Sequence, residues 1–197
     1  MKGTRNLTLF IILGVVFILL LWSGCGYNSL VKEDENVKKS WNNVQTEYQR
    51  RYDLVDNLVN TVKGAAKFEQ ETLTQVIQAR SKASSIQLNA DQLTPENMQR
   101  FEQAQGELGG ALSRLLVSVE RYPELKATQN FLQLQNQLEG IENSVRTSRT
   151  AFNENVNTYN TKVRSFPTNV FAGAFGFKQR AGFAAEQGAE KSPKVQF

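Results

Sequence analysis

Proline occurs only at positions 95, 123, 167 and 193 of the 197 residues, and between those points apolar side chains return every three or four residues over long unbroken tracts. That spacing is the repeat of one face of an α-helix. Val31, Val37, Trp41, Val44, Tyr48, Tyr52, Val55, Val59, Val62 and Ala66 mark a first long helix over about 28–66, its end weakly signalled by Gly64. Leu73, Val76, Ile77, Ala83 and Ile86 mark a shorter one that stops near Ser84-Ser85, before a polar loop. Thr94-Pro95-Glu96 then reads as an N-cap, a proline in the first turn and an acid where the helix dipole favours negative charge. The helix it opens carries Met98, Phe101, Leu108, Ala111, Leu112, Leu115, Leu116 and Val119. Tyr122-Pro123 breaks it, because proline lacks the N–H that would continue the ladder. A second long helix follows from about Glu124 to Ser165, with Phe131, Leu134, Leu138, Ile141, Val145, Ser148, Phe152, Val156, Tyr159, Val163 and Phe166 on its apolar face, until Pro167 ends it.

The expected fold is therefore all-α. At 1.5 Å per residue the first and last helices are each about 60 Å long, the third about 40 Å and the second about 24 Å. An antiparallel up-down-up-down path with those lengths cannot be a uniform four-helix cylinder. It predicts a two-helix stalk carrying a thicker head, with the last helix returning to the foot of the first.

Residues 7–22 (LTLFIILGVVFILLLW) are almost purely apolar, and the run continues through small residues to Tyr27. About 20 apolar residues is the length a helix needs to span hydrocarbon. Lys2 and Arg5 precede the run while Glu33, Asp34 and Glu35 follow it, which by positive-inside logic puts the N-terminus in the cytoplasm and the remainder outside, on the cytoplasmic (inner) membrane. Ser23-Gly24-Cys25 also has the small-small-Cys ending of a lipoprotein cleavage site, so lipidation of Cys25 stands beside an uncleaved signal anchor, which the length of the run and Trp22 favour. The chain divides into a membrane segment over 1–27, a helical bundle over 28–166, and a short helix with a loosely ordered Phe-rich tail over 167–197.

Histidine is absent and Cys25 is the only cysteine, which removes an internal disulfide, a Cys/His zinc site and any nucleophile paired with imidazole. The net charge of +4 is spread evenly along the chain and forms no basic stripe of the kind that tracks phosphates, so no nucleic-acid partner is expected. Glycine-rich phosphate loops are absent, and no cofactor or small-molecule substrate is expected. Ser29 and Lys32 have the Ser-x-x-Lys spacing of acyl enzymes, without the accompanying motifs. Glu33, Asp34 and Glu35 point to different sides of a helix and read as its solvated start rather than as a metal or acid–base site. No catalytic, cofactor or metal residue is assigned, and the expectation is that the protein is not an enzyme.

Two places carry candidate interactions. On the last long helix Arg149, Asn153, Asn157, Tyr159 and Asn160 gather polar groups where asparagine is a poor helix former. Interhelical hydrogen bonds that fix register are the preferred reading, with Arg149, Asn153 and Asn160 as an exposed partner-binding face the functional one. In the tail, Phe171, Phe175, Phe177 and Phe183 alternate with Lys178 and Arg180. They either sit in the headgroup layer or fold back on the stalk as a short helix over 168–175, with core packing the commoner fate of such aromatics.

Several segments together resemble the LemA family of bacterial proteins: YNSLV at 27–31, the run from Trp41 through YQRRYDLVDNLVNTVKG to QARSKA ending at Ala83, ERYPELKA at 120–127 and FNENVNTYNTKVRSFP at 152–167. The resemblance implies an N-terminal membrane segment followed by an antiparallel helical bundle. It brings no reaction, cofactor or catalytic residue. The expected role is that of a membrane-anchored, non-enzymatic helical scaffold or adaptor with an unidentified protein partner, or else a self-associating, lipid-binding organiser of the membrane.

Overall fold

The computed structural model describes residues 2–64 and 68–184, with side chains from Gly26 onward except that of Phe171. Ala66, and the tail over 185–197 with Val195 and Phe197, lie outside the described residues. Every regular element among those described is helical: α1 (Lys2–Lys63), α2 (Gln70–Ser85), a 3₁₀ turn (Ala90–Gln92), α3 (Pro95–Val119), α4 (Pro123–Lys126), α5 (Gln129–Arg164) and α6 (Thr168–Ala174). Among the residues whose side chains are described, no helix is long and apolar enough to cross a membrane. The apolar run over 7–22 and Cys25 lie outside that set, although the backbone of α1 passes through them as one continuous helix.

The frame is the antiparallel pair α1 and α5, which pack along each other's length, with α2 and α3 stacked as a second pair on the upper half. The predicted stripes supply the core. Trp41, Val44, Tyr48, Tyr52, Val55, Val59 and Val62 of α1 are buried against Phe131, Leu138, Ile141, Val145, Phe152, Val156 and Tyr159 of α5 and against α2 and α3. Trp41 and Phe152 meet at a centroid distance of 5.2 Å, and Phe101 of α3 stands edge-on to both Trp41 (5.6 Å) and Tyr48 (5.1 Å). Such a cluster excludes water and adds edge-to-face attraction to burial; losing Phe152, which is 0% exposed, would cost about 3–5 kcal/mol.

Polar bonds fix how far the second pair descends. Trp41 Nε1 donates to the Leu88 carbonyl at 2.6 Å and Gln45 Nε2 to the same oxygen at 3.0 Å, tying the loop after α2 to α1. Tyr52 donates to the Ala83 carbonyl at 3.2 Å and accepts from the buried Gln105 of α3. Thr94 caps α3 by accepting from Asn97 N at 3.3 Å, as its sequence predicts. The 3₁₀ turn descends to the level of Asp34, which Arg180 joins to Asp91, and α6 packs on α1 and α5 below it, so the predicted bare two-helix stalk is replaced by a bundle covered down to its foot.

Three details differ from expectation. Helix α5 begins at Gln129 instead of Glu124, because Thr128 donates to the Leu125 carbonyl (2.8 Å) and accepts from Phe131 N (3.4 Å), ending one helical turn and capping the next. Phe166, placed by spacing on the apolar stripe, is 80% exposed, since α5 stops at Arg164 and the residue lies past the helix end. Ile77, placed by spacing on the apolar stripe of α2, is 48% exposed.

Candidate functional site

The lower end of the bundle gathers the polar and aromatic groups that the core does not use. Helix α6 folds back after Pro167 and packs on both α1 and α5, burying Ala172. Its aromatic neighbour Phe175 reaches Tyr27 at a centroid distance of 5.1 Å, and Phe177 reaches the same ring at 5.8 Å. Phe177 is half-buried, but Phe175 (56%), Val170 (63%), Phe166 (80%) and Tyr27 (40%) leave a large apolar surface open to solvent at the foot. Exposed Arg164 and Lys178 stand beside it. The folded-back helix was expected at 168–175 and runs to Ala174, yet it tucks in only part of its aromatic surface.

Just above the foot, the chain after α6 runs as an extended strap over 177–184 back up the bundle. Its Arg180 inserts among α1, the 3₁₀ turn and α5. The guanidinium meets Asp34 Oδ1 at 2.6 Å and Asp91 Oδ1 at 2.9 Å, bonds the Ala90 carbonyl, and stands 5.6 Å from the Tyr159 ring centroid. Burial works against this charge, but the bonds to Asp91 and Asp34 outweigh it and hold the Arg180 pKa above its ordinary value. The same bond holds the Asp91 carboxyl below its ordinary range. One turn lower, Lys162 Nζ donates to Glu33 Oε1 at 2.6 Å and to Ser29 Oγ at 2.9 Å, while Asn36 donates to Glu33 Oε2 at 2.9 Å. The hydrogen bonds from Lys162 and Asn36 lower the Glu33 pKa.

These contacts correct the expectation of a solvated helix start. Glu33 and Asp34 are only 9% and 8% exposed, and each has a fixed cation from another element. Glu35 alone remains at the surface, paired with Lys38 at 2.9 Å. Ser29 Oγ is bonded by Lys162 Nζ, which also bonds Glu33 Oε1, so the serine is held in the same polar cluster as the carboxylate. Among the described residues no group of three or more acidic or thiol side chains is placed to hold a metal ion.

Arg149, Asn153 and Asn160, expected as an exposed face, instead lie along α5 beneath the strap. All three are half-buried. Asn160 donates to the Arg180 carbonyl (2.8 Å) and accepts from Arg180 N (2.9 Å); Asn153 does the same with Phe183 (3.2 and 2.8 Å). The Arg149 guanidinium lies 4.5 Å from the centroid of the Phe183 ring, which is buried beside Phe152 (5.6 Å) and Trp41 (6.1 Å). The asparagines thus bind an extended segment of their own chain instead of another helix. Of the predicted tail aromatics, the side chain of Phe171 and the lipidation candidate Cys25 lie outside the described side chains. Lys162, Asp91 and Arg180 went unassigned from sequence, since no local pattern announces an ion pair between residues so far apart.

The fold and its foot define a class: an antiparallel helical bundle whose longest helix continues from an N-terminal apolar segment and whose foot is closed by a folded-back helix and strap. The profile of the LemA family matches residues 40–197, and the chain belongs to that family. It is similar to Protein LemA of Metamycoplasma hominis, 25% identical over 91% of this chain and 78% of the relative. It is also similar to Magnetosome protein MamQ 2 of Paramagnetospirillum magneticum and Magnetosome protein MamQ of Magnetospirillum gryphiswaldense, 27% and 26% identical, each over 86% of this chain and 68% of the relative.

Proposed function

We propose that this LemA family protein is a non-enzymatic helical scaffold anchored in the bacterial inner membrane by residues 7–22, with its foot in the headgroup layer and its head held outside the cytoplasm. One observation carries the reading: Tyr27, Phe166, Val170 and Phe175 leave apolar surface exposed at the end of the bundle that the N-terminal apolar run enters. Aromatic residues flanked by Arg164 and Lys178 match the chemistry of the interface between hydrocarbon and anionic headgroups. From Tyr27 to Lys63 the helix rises about 54 Å, so the far tip of the bundle would stand that far above the bilayer. The serine, lysine and carboxylates nearest the foot are engaged with one another as structural pairs, which favours contact over catalysis.

The test uses the full chain in vesicles, with Cys25 replaced by serine and a fluorophore on Phe175→Cys or, at the opposite end, on Val117→Cys, which is 70% exposed. Brominated lipids should quench the label at 175 and leave that at 117 bright. Equal brightness at the two sites would remove the foot from the bilayer. Quenching at 175 would support the membrane-organising reading over an adaptor whose partner face is Arg149, Asn153 and Asn160, residues the strap already covers.

A further inference from the structure

A partly buried extended segment must satisfy its covered main-chain groups one by one, because it has no ladder of its own. The strap does this with helix side chains. Asn153 and Asn160 lie two turns apart on α5, a rise of about 10.5 Å, and the residues they grip, Phe183 and Arg180, are separated by about 10–11 Å in an extended chain. The two repeats match, so each amide makes a reciprocal pair with main-chain N–H and C=O. Leu93 accepts from Ala181 N at 2.8 Å and Glu102 from Ala184 N at 2.9 Å, which completes a groove between α5 and the start of α3.

The groove also reads side chains. Asp34 and Asp91 select a cation at one end, and the Trp41–Phe152 cluster selects an aromatic ring at the other. Between them Gly182 fits closely: a Cβ there would lie 2.7 Å from Asn153 Oδ1, so the amide or the strap would have to shift. Every reading group stands outside the strap, so the covalent link to α6 takes no part in recognition. That link contains Gly176 at φ +79° and the exposed Lys178 and Gln179. Extended, residues 176–179 reach about 13 Å, which sets how near the groove of a neighbour, standing beside it with its foot on the same side, must lie for the strap to enter it.

We propose that this groove is a binding site for an extended Arg-x-Gly-Phe segment, and that its partner besides the chain's own strap is the strap of a second copy, donated through the Gly176 link. The bonds are the same in either arrangement, so the balance follows concentration against the millimolar effective concentration of a short tether. Exchange needs no bilayer; many copies anchored in one membrane, as proposed above, raise the concentration at which it competes.

Two differently tagged full-length chains test this, both with Cys25→Ser, one carrying Glu102→Cys and the other Ala184→Cys, co-expressed and treated with a short bis-maleimide in intact cells. A mixed-tag dimer is expected, falling at least tenfold when Asn153→Ala and Asn160→Ala are added to the Glu102→Cys chain, or Arg180→Ala and Phe183→Ala to the other. A single chain carrying both cysteines, with Asn153, Asn160, Arg180 and Phe183 unchanged, reports the strap in its own groove by an internal cross-link. An internal cross-link with no mixed dimer at any expression level overturns exchange. A mixed dimer indifferent to the groove and strap substitutions overturns it equally, and absence of the internal cross-link removes the groove itself.

Discussion

Replacing Gly182 with alanine adds one methyl group, and the structure says where the cost falls. The new Cβ would stand 2.7 Å from Asn153 Oδ1 and 3.4 Å from its Cγ, inside contact distance of an amide held by two bonds to Phe183. The amide must turn away or the strap must lift. Turning forfeits two neutral hydrogen bonds, about 1 kcal/mol each. Lifting also unseats Phe183, which is 7% exposed and worth about 1.5–3 kcal/mol of burial. Alanine stiffens the unfolded chain and returns about 0.4–1 kcal/mol. The net expectation is a loss of about 1–2 kcal/mol if only the amide turns and about 3–4 kcal/mol if the ring leaves. Each kcal/mol lowers the melting midpoint by about 2–4 °C for a domain of this size. Denaturant titration gives the total, and hydrogen exchange at the Ala181 amide, which donates to the Leu93 carbonyl and not to Asn153, says which event occurred, since only lifting exposes that N–H. A variant as stable as wild type, with the Ala181 amide equally protected, would refute the placement of the strap and with it the close fit at Gly182.

Gly140 is the opposite case, exposed in the interior of α5 with nothing within 4 Å of a built Cβ, so Gly140→Ala should raise stability by about 0.8–1 kcal/mol through helix propensity alone; an unchanged denaturation midpoint would contradict it. Glu33 and Asp91 have folded pKa values held below the ordinary 4.5 and 3.8 by Lys162 and Arg180, so their contribution is present above those values and is lost as pH falls through the depressed ones. Acid titration of stability should therefore fall less steeply in Glu33→Gln than in wild type, and parallel curves would argue against the pair. Burial raises the Tyr48 hydroxyl to about 12, so its contribution is intact below the ordinary value of 10.0 and fades as pH rises through 12. Absorbance at alkaline pH should show Tyr48→Phe missing the last-titrating tyrosine of the folded protein; loss of an early-titrating one instead would place that hydroxyl in water.

The long stripes were readable because a helix repeats its buried face often enough for chance to be averaged out: Val37 through Val62 and Phe131 through Val163 lie in the core with few errors. The errors sit where the repeat ends. Phe166 continues the spacing of Val163 one step beyond the last helical residue, and periodicity carries no information about where a helix stops. The break before Gln129 had a visible cause in Thr128, whose capping role was masked by the proline a few residues earlier. The asparagines were legible as anomalies on a helix face, but their partners were not. A main-chain N–H or carbonyl is the same at every residue, so nothing in the sequence marks Phe183 and Arg180 as the ones they hold.

The acidic run shows where local reasoning reaches its limit. Consecutive residues on a helix do point in different directions, and Glu33 faces Lys162 on α5 while Asp34 faces Arg180 on the strap. The inference from direction was sound; the inference of solvation failed because each direction was filled by an element arriving from more than a hundred residues away. A buried pair of this kind adds little net stability over an apolar pair, since desolvation offsets most of the attraction, but removing one partner leaves the other charged and unpaired. It therefore penalises wrong placements more than it rewards the right one. A strap shifted by one residue would leave Asp34 without Arg180 and Asn153 without Phe183 at once, which is how a short segment with no secondary structure of its own acquires a single register.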